Sequence, residues 1–306
     1  MKKIKLTKDD AGARLDVFLA DYLHKTRSQA QKLIIAGKIK INNQEPSKHY
    51  KIKADDELIL QATKIVKRQI KPQALIDKIE VVEETKDYLV INKPAGLIVH
   101  PVAGFQAYTL VDWLVANYPD LGRVGDDLLR PGIVHRLDKE VSGLMVVART
   151  QSAFDSLKQQ FKQRTVFKQY QALVHGAINK NSDTIDFVIA RSKSGKMVAR
   201  SVKDEGRRAL TEFQVMQRFI HYTLLLVTIK TGRTHQIRVH LSAYNHPVVG
   251  DMLYGNKISK IANTKLGLER LFLVATKLEF NDLAGQRQQF ELPLPQNLMK
   301  ILAELK

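Results

Sequence analysis

A chain of 306 residues, 44% hydrophobic and 26% charged, is long enough for two domains and has the composition of a soluble globular protein. It contains no Cys, which excludes a disulfide framework, a thiolate nucleophile and a Cys-ligated zinc. Lys and Arg number 49 against 31 Asp and Glu, and the net charge of +18 points to a polyanionic partner.

The chain opens MKKIKLTKDD, without the apolar run of a secretory signal, and no apolar stretch approaches the ~20 residues that span a bilayer. These features read as a cytoplasmic protein with no membrane partner. Residues 1 to 75 hold 17 Lys and Arg against 8 Asp and Glu, a concentration that favours nucleic acid over merely solubilising charge.

Residues 14 to 60 read as a small module. Leu15, Phe18, Leu19, Tyr22 and Leu23 recur at helical spacing. Thr26 or Ser28 is expected to cap a second helix that turns Ala30, Leu33 and Ile34 inward and stops at Gly37. Two short strands follow over 38–41 and 56–60, the first closed by a turn at Asn42-Asn43-Gln44. Arg14, Lys25, Arg27, Gln29, Lys32 and Lys38 cluster around the helices as donors suited to RNA phosphates, while any one of them also fits a solvated face. Residues 61 to 75 are polar and basic and read as a linker.

A larger domain spans 76–306. A strand over 88–92 ends at the turn Lys93-Pro94-Ala95-Gly96, and a helix over 110–118 carries the only Trp, Trp113, as core. The central stretch, residues 135–149, reads HRLDKEVSGLMVVAR. Its apolar run, Leu144 to Ala148, is short and Val-rich, so it reads as a buried strand that Gly143 introduces. If the preceding residues are extended, Arg136 and Asp138 share one face and Leu137 takes the other. An Asp among cations is also the pattern of an ordinary surface ion pair.

A helix over 152–164 and a strand over 168–174 carrying Tyr170 come next. Residues 179–208, polar and weakly periodic, read as a surface hairpin or flexible excursion. A strand over 223–230 breaks at Thr231-Gly232, and Thr234 caps a helix with Ile237, Leu241 and Tyr244 as its apolar stripe. A strand over 271–280 and a closing helix over 294–305 complete the chain. This irregular interleaving predicts an α+β fold on a mixed, largely antiparallel sheet. There is no dinucleotide fingerprint and no P-loop, and His235 and His240 lack the spacing and the Glu of a zincin helix, so neither a cofactor nor a metal site is expected.

The N-terminal pattern resembles the alpha-L RNA-binding motif of a small-subunit ribosomal protein. The matching residues are Arg14-Leu15-Asp16, Leu19, Arg27-Ser28-Gln29-Ala30, Leu33-Ile34, Gly37 and Lys40-Ile41-Asn42-Asn43. Ala54-Asp55 stands where that motif usually has Gly-Asp. The resemblance, rather than charge, implies RNA.

In the larger domain, Val90 to Leu97 with His100-Pro101, His135 to Lys139 with Ser142-Gly143-Leu144, Lys168, Tyr170 and Ala172-Leu173-Val174 follow one another in order. Thr231 to His240, His246-Pro247, Val249-Gly250-Asp251 and Tyr254-Gly255 continue the series. Together these segments resemble the RluA family of RNA pseudouridine synthases, and the appended alpha-L motif points to the RluD-like subgroup. Val141 stands where Thr is usual and Val274 where His is usual.

The resemblance implies a cofactor-free isomerase that acts on large-subunit ribosomal RNA; nothing in the sequence suggests an obligate oligomer, so a monomer is expected. Asp138 would be the catalyst, with Arg233 paired to it and Tyr170 stacked on a flipped uracil and helping to remove the C5 proton. Arg136 would fill the space the base leaves, and Leu273 would line the pocket. A carboxylate suits an electron-poor sugar carbon, and a neighbouring cation favours its ionised form. The alternative is a catalytically inert RNA-binding or ribosome-assembly protein on the same fold; a DNA-binding role fits the charge but not the alpha-L pattern.

Overall fold

The computed structural model describes residues 2–7, 10–23, 27–35, 37–47, 49–60, 73–101, 107–192, 194–268 and 270–306. They fall into two compact units, Met1–Gln69 and Ile70–Lys306.

In the first unit, β1 (Lys2–Lys5) is followed by α1 (Leu15–Tyr22), α2 (Arg27–Ile35), β2 (Ile39–Ile41) and β3 (Glu57–Leu60). β3 is the central strand, antiparallel to both β1 and β2. The unit therefore begins earlier than the module expected over 14–60, because β1 supplies an edge strand and Leu6 enters the core. Leu15, Leu19, Ala30, Ile34, Ile39, Ile41 and Leu58 bury together, the inward face expected of the helices. Gly37 ends α2 with φ +66, and the tight turn after β2 puts Asn42 and Asn43 at φ 50 and 66, where Asn is tolerated best after Gly. Ser28 lies inside α2 and so is not its cap; Thr26 and Lys25, with the side chains of Gln29 and Lys32, fall outside the described residues.

The second unit starts within the expected linker, since α3 (Gln73–Ile76) is already helical and Leu75 packs where a Cβ on Gly96 would stand. The strands are β4 (Glu80–Glu84), β5 (Tyr88–Lys93), β6 (Ser142–Ala148), β7 (Phe167–His175), β8 (Ser182–Arg191), β9 (Met197–Arg200), β10 (Arg207–Arg218), β11 (Tyr222–Ile229), β12 (Leu273–Asn281) and β13 (Arg287–Glu291). The helices are α4 (Leu110–Asn117), α5 (Gln151–Gln163), α6 (Gln236–Ala243), α7 (Lys257–Lys265) and α8 (Gln296–Glu304).

One sheet runs β4-β5-β6-β12-β7-β11-β10-β8-β9, with β13 beside β12. Its ladders are antiparallel except β6 with β12, which is the mixed, largely antiparallel α+β arrangement expected.

All seven residues of β6 are buried, because both faces of the sheet are covered there. Met145 and Val147 share one core with Leu110 and Leu114 of α4, and Leu144, Val146 and Ala148 share another with Phe154 and Leu157 of α5. Each such aliphatic side chain contributes about 1.5–3 kcal/mol on burial. α5 has the amphipathic form expected, capped by Thr150, whose hydroxyl accepts from the Ala153 N–H.

The stretch 179–208 is regular: β8 and β9 form a hairpin at the sheet edge, and β8 buries Ile185, Val188 and Ile189. Trp113 is only partly buried, packed at the margin of the core. Among the described residues no helix is long and apolar enough to cross a membrane.

Candidate active site

The loop between residues 132 and 142 carries the first functional side chain. Leu137 joins the core at 4% exposure, while Arg136 and Asp138 on either side stay more exposed, as an extended run allows, and all three reach the wall of one cavity. The far end of the loop is clamped. Lys93 is completely buried, and its ammonium donates to the carbonyls of Pro94 (2.8 Å), Leu97 (2.9 Å) and Lys139 (3.3 Å). The Gly96 N–H donates to the same Lys139 carbonyl at 2.7 Å. Desolvation pushes the Lys93 ammonium down to about 7, against the opposing pull of Asp138.

Gly143 fixes the other wall. It holds φ +117 opposite Ala275, and a Cβ there would stand 2.2 Å from the Ala275 carbonyl oxygen. Only glycine lets β6 approach β12 at this point. That approach sets the position of Leu273, which is 2% exposed and lines the cavity. Tyr170 comes from β7, paired with Ala275 across the ladder. It closes the cavity from below at 7% exposure. Burial, with Asp138 adding to it, holds the Tyr170 phenol well above its usual range, so it stays protonated.

The last wall is the turn from Thr231 into α6. Thr234 is not its cap: His235 precedes the helix in the left-handed region at φ 55 and caps nothing with its side chain. The turn is laced instead by Gln236. Its carbonyl accepts from the Thr231 hydroxyl (2.7 Å) and the Arg233 N–H (3.0 Å), and its amide donates to the Leu210 carbonyl and the Thr211 hydroxyl.

The cation beside Asp138 is Arg238, not Arg233. Arg238 Nη1 lies 3.8 Å from Asp138 Oδ2, and His235 Nε2 lies 3.9 Å from Oδ1. Arg238 is itself gripped by Asp251 through two parallel bonds of 2.7 and 2.9 Å, with its guanidinium 5.1 Å from the centre of the Tyr254 ring. Arg233 points elsewhere, its Nε 3.5 Å from the Arg208 carbonyl, and stands at the cavity rim. The helix decides between them, because its inward face buries position 238 while the turn leaves 233 half-exposed.

The cavity over Asp138 measures about 90 Å³ and joins wider basic clefts. Asp138 is 17% exposed in its wall. Buried enough to be shaped and open enough to meet a substrate, this carboxylate can act on a flat ring held against Tyr170.

Residues 87–243 match the family described as RNA pseudouridylate synthase, and residues 13–58 match the S4 domain. The chain belongs to the RNA pseudouridine synthase family. A protein of Aquifex aeolicus described as an uncharacterized RNA pseudouridine synthase is 39% identical over 96% of this chain and 94% of its own length. A ribosomal large subunit pseudouridine synthase D from Neisseria meningitidis is 36% identical over 97% of this chain and 79% of its own. The solved human RNA pseudouridylate synthase domain containing 1 superposes with a TM-score of 0.59 at 27% identity, covering 72% of this chain and 85% of that one. The resemblance read from the sequence is thereby borne out, and the protein is an isomerase of RNA uridine, carrying an S4 domain at its N-terminal end.

For a pseudouridine synthase the gathering of residues is informative. Asp138, Tyr170, Leu273, Arg136 and Arg233 all line the one cavity, while Arg238, His235 and Asp251 were not singled out for it by the sequence. Their signal was the spacing of Arg238 from Gly232 and the Asp251 of the Val249-Gly250-Asp251 segment, which gains meaning only once α6 and the following loop are folded together. In the S4 domain, Arg14 and Arg27 both donate to buried Asp16, and Lys38 stands half-exposed just after α2.

Proposed function

We propose that this synthase isomerises uridines of large-subunit ribosomal RNA, in the cytoplasm and as a monomer, after the target nucleotide swings out of its helix into the cavity over Asp138. The observation that carries the reading is a carboxylate open to a cavity whose floor is an aromatic ring and whose flank is a buried guanidinium. The relative named as a ribosomal large subunit pseudouridine synthase and the matched S4 domain support the substrate class.

The reaction breaks the N1–C1′ bond, turns the uracil and forms a C5–C1′ bond; water then takes the C5 proton and supplies one to N1, so the isomerisation is proton-neutral. Asp138 acts as the nucleophile on an electron-poor carbon of the nucleoside, and the bond it forms there is broken again before the product leaves, which restores the carboxylate. Arg238, shared with Asp251, steadies that carboxylate without enclosing it. Tyr170 stacks on the uracil; its raised phenol stays protonated, so stacking is the role the chemistry favours over removal of the C5 proton. Leu273 packs the ring from the side, and Arg136 fills the gap in the helix. Flipping costs a few kcal/mol, which these contacts offset.

The test is Asp138→Ala assayed on unmodified large-subunit transcripts by pseudouridine-specific primer extension. Modification is expected to vanish while RNA binding stays within about tenfold, since phosphate contacts dominate affinity. Modification by the variant at the wild-type level would overturn the role of Asp138.

A further inference from the structure

Two further cavities open beside the Asp138 pocket, and Gly232 and Arg233 belong to the walls of both. The first, about 540 Å³, also takes in Tyr170 and Arg136, so it continues the Asp138 pocket outward. Seven Lys and Arg side chains line it and no carboxylate does. Two of the seven are neutralised nearby, Arg130 by Asp127 and Lys230 by Glu212. Arg136, Lys162, Arg164, Lys168 and Arg233 have no carboxylate within 4.0 Å among the described residues. The second cavity, about 650 Å³, lies under the β8–β9 hairpin and carries Arg191, Arg200 and Arg207 against a single acid, Glu205.

Cations crowded in this way repel one another. Arg233 is held below its usual range by burial and by the like charges of Arg207 and Arg164, one from each cavity. Lys168 is brought down to about 8 by burial, with Arg164 adding to it, and its ammonium sits 5.5 Å from the centre of the Phe161 ring rather than beside an acid. A chain of anions threading both cavities relieves that repulsion. It also explains why Arg233, set aside from Asp138, occupies the point where the cavities meet.

We infer that the backbone of the RNA runs through both cavities and that Arg233 holds the phosphodiester next to the target nucleotide. Arg233 is thus a positioning residue for the isomerisation, and the β8–β9 hairpin is an RNA-contacting arm. The inference rests on the RNA reading of the Asp138 site.

The experiment measures binding of the full-length protein to an unmodified large-subunit ribosomal transcript across a salt series, alongside steady-state turnover. Arg233→Met is expected to make the slope of log affinity against log salt shallower by about one. The same variant should raise KM about tenfold, with the loss falling on KM and not on kcat. Arg233→Lys should keep the slope. Arg164→Met and Arg207→Met, one in each cavity, should each flatten it as well. Unchanged slopes in Arg164→Met and Arg207→Met would overturn the path. A loss confined to kcat in Arg233→Met would overturn the positioning role. Should the wild-type protein bind the transcript yet form no pseudouridine, the functional reading fails, and the slopes still decide the inference.

Discussion

Two of the carboxylates set near arginines, Asp16 in the first unit and Asp138 in the second, are built to opposite ends. Asp16 is fully buried and accepts four hydrogen bonds, two from Arg14 at 3.0 Å, one from Arg27 at 2.9 Å and one from Gln31 at 2.6 Å. Those bonds, Arg14's first, hold it far below the usual carboxylate range despite its burial. Asp138 has its guanidinium at 3.8 Å and its imidazole at 3.9 Å, beyond hydrogen-bond reach, and keeps its oxygens toward a cavity. A carboxylate whose lone pairs are consumed ties elements together; one attended but not bonded remains free to attack. The pairing of Arg238 with Asp251 is what keeps Arg238 from closing on Asp138.

The comparison breaks most visibly at Asp138. Asp138→Ala should cost about a thousandfold or more in turnover, equivalent to at least about 4 kcal/mol of barrier, with urea-unfolding stability within about 1 kcal/mol of the parent. A large stability loss with residual turnover would make Asp138 another Asp16. The next largest effect falls on the wall that keeps the pocket open. Gly143→Ala forces a Cβ against the Ala275 carbonyl at a positive φ, and should destabilise the protein by about 3 kcal/mol in urea titration, with weakened turnover. At Asp16, Asp16→Asn should cost about 2 kcal/mol of stability, because two guanidiniums lose a buried acceptor. Its kcat at saturating RNA should match the parent, measured in the same primer-extension assay.

What could be read from the sequence follows from how local each signal is. The Val-rich run after Gly143 declares a buried strand by itself, and Arg136-Leu137-Asp138 alternates as any extended run does; both are as found. Tyr170 on a strand and Leu273 in the pocket also lie where the motifs placed them. Arg233 and Arg238 sit in one continuous segment, and nothing local says which faces the acid. α6 is buried on nearly every side from Gln236 to Leu241, and Arg238 finds its partner Asp251 in the loop that follows, so the stripe of Ile237, Leu241 and Tyr244 does not tell which arginine turns to the acid. β10 was missed for a related reason. A bulge between Val215 and Gln217 breaks its alternation, and its ends are charged, so twelve residues of strand look like loop. The half-exposed edges β4 and β13 escaped because too few of their side chains are buried to leave a pattern.

The smallest effect concerns a third titratable group, His240, which neither unit's carboxylate logic explains. It is fully buried on α6, and neither ring nitrogen has a hydrogen-bond partner among the described residues. The edge of Phe187 packs against it with ring centres 5.9 Å apart. Burial brings its imidazole down to about 4, with Asp186 opposing. On acidification the unfolded chain therefore takes up this proton near its ordinary value of 6.5, before the folded protein does. Stability is at its plateau above that value, falls as the pH drops from 6.5 toward 4, and levels below. Half-buried His135, brought down to about 3 by desolvation with Lys168 adding to it, acts in the same sense over a longer range. His240→Phe keeps an aromatic ring in the site and removes the proton uptake. At pH 7 it should stand within about 1 kcal/mol of the parent, while its acid branch, followed by urea unfolding at successive pH values, should be shallower. Parallel acid branches for the two proteins would mean that His240 finds a proton acceptor on folding, and that its isolation in the core is not what it costs the fold at low pH.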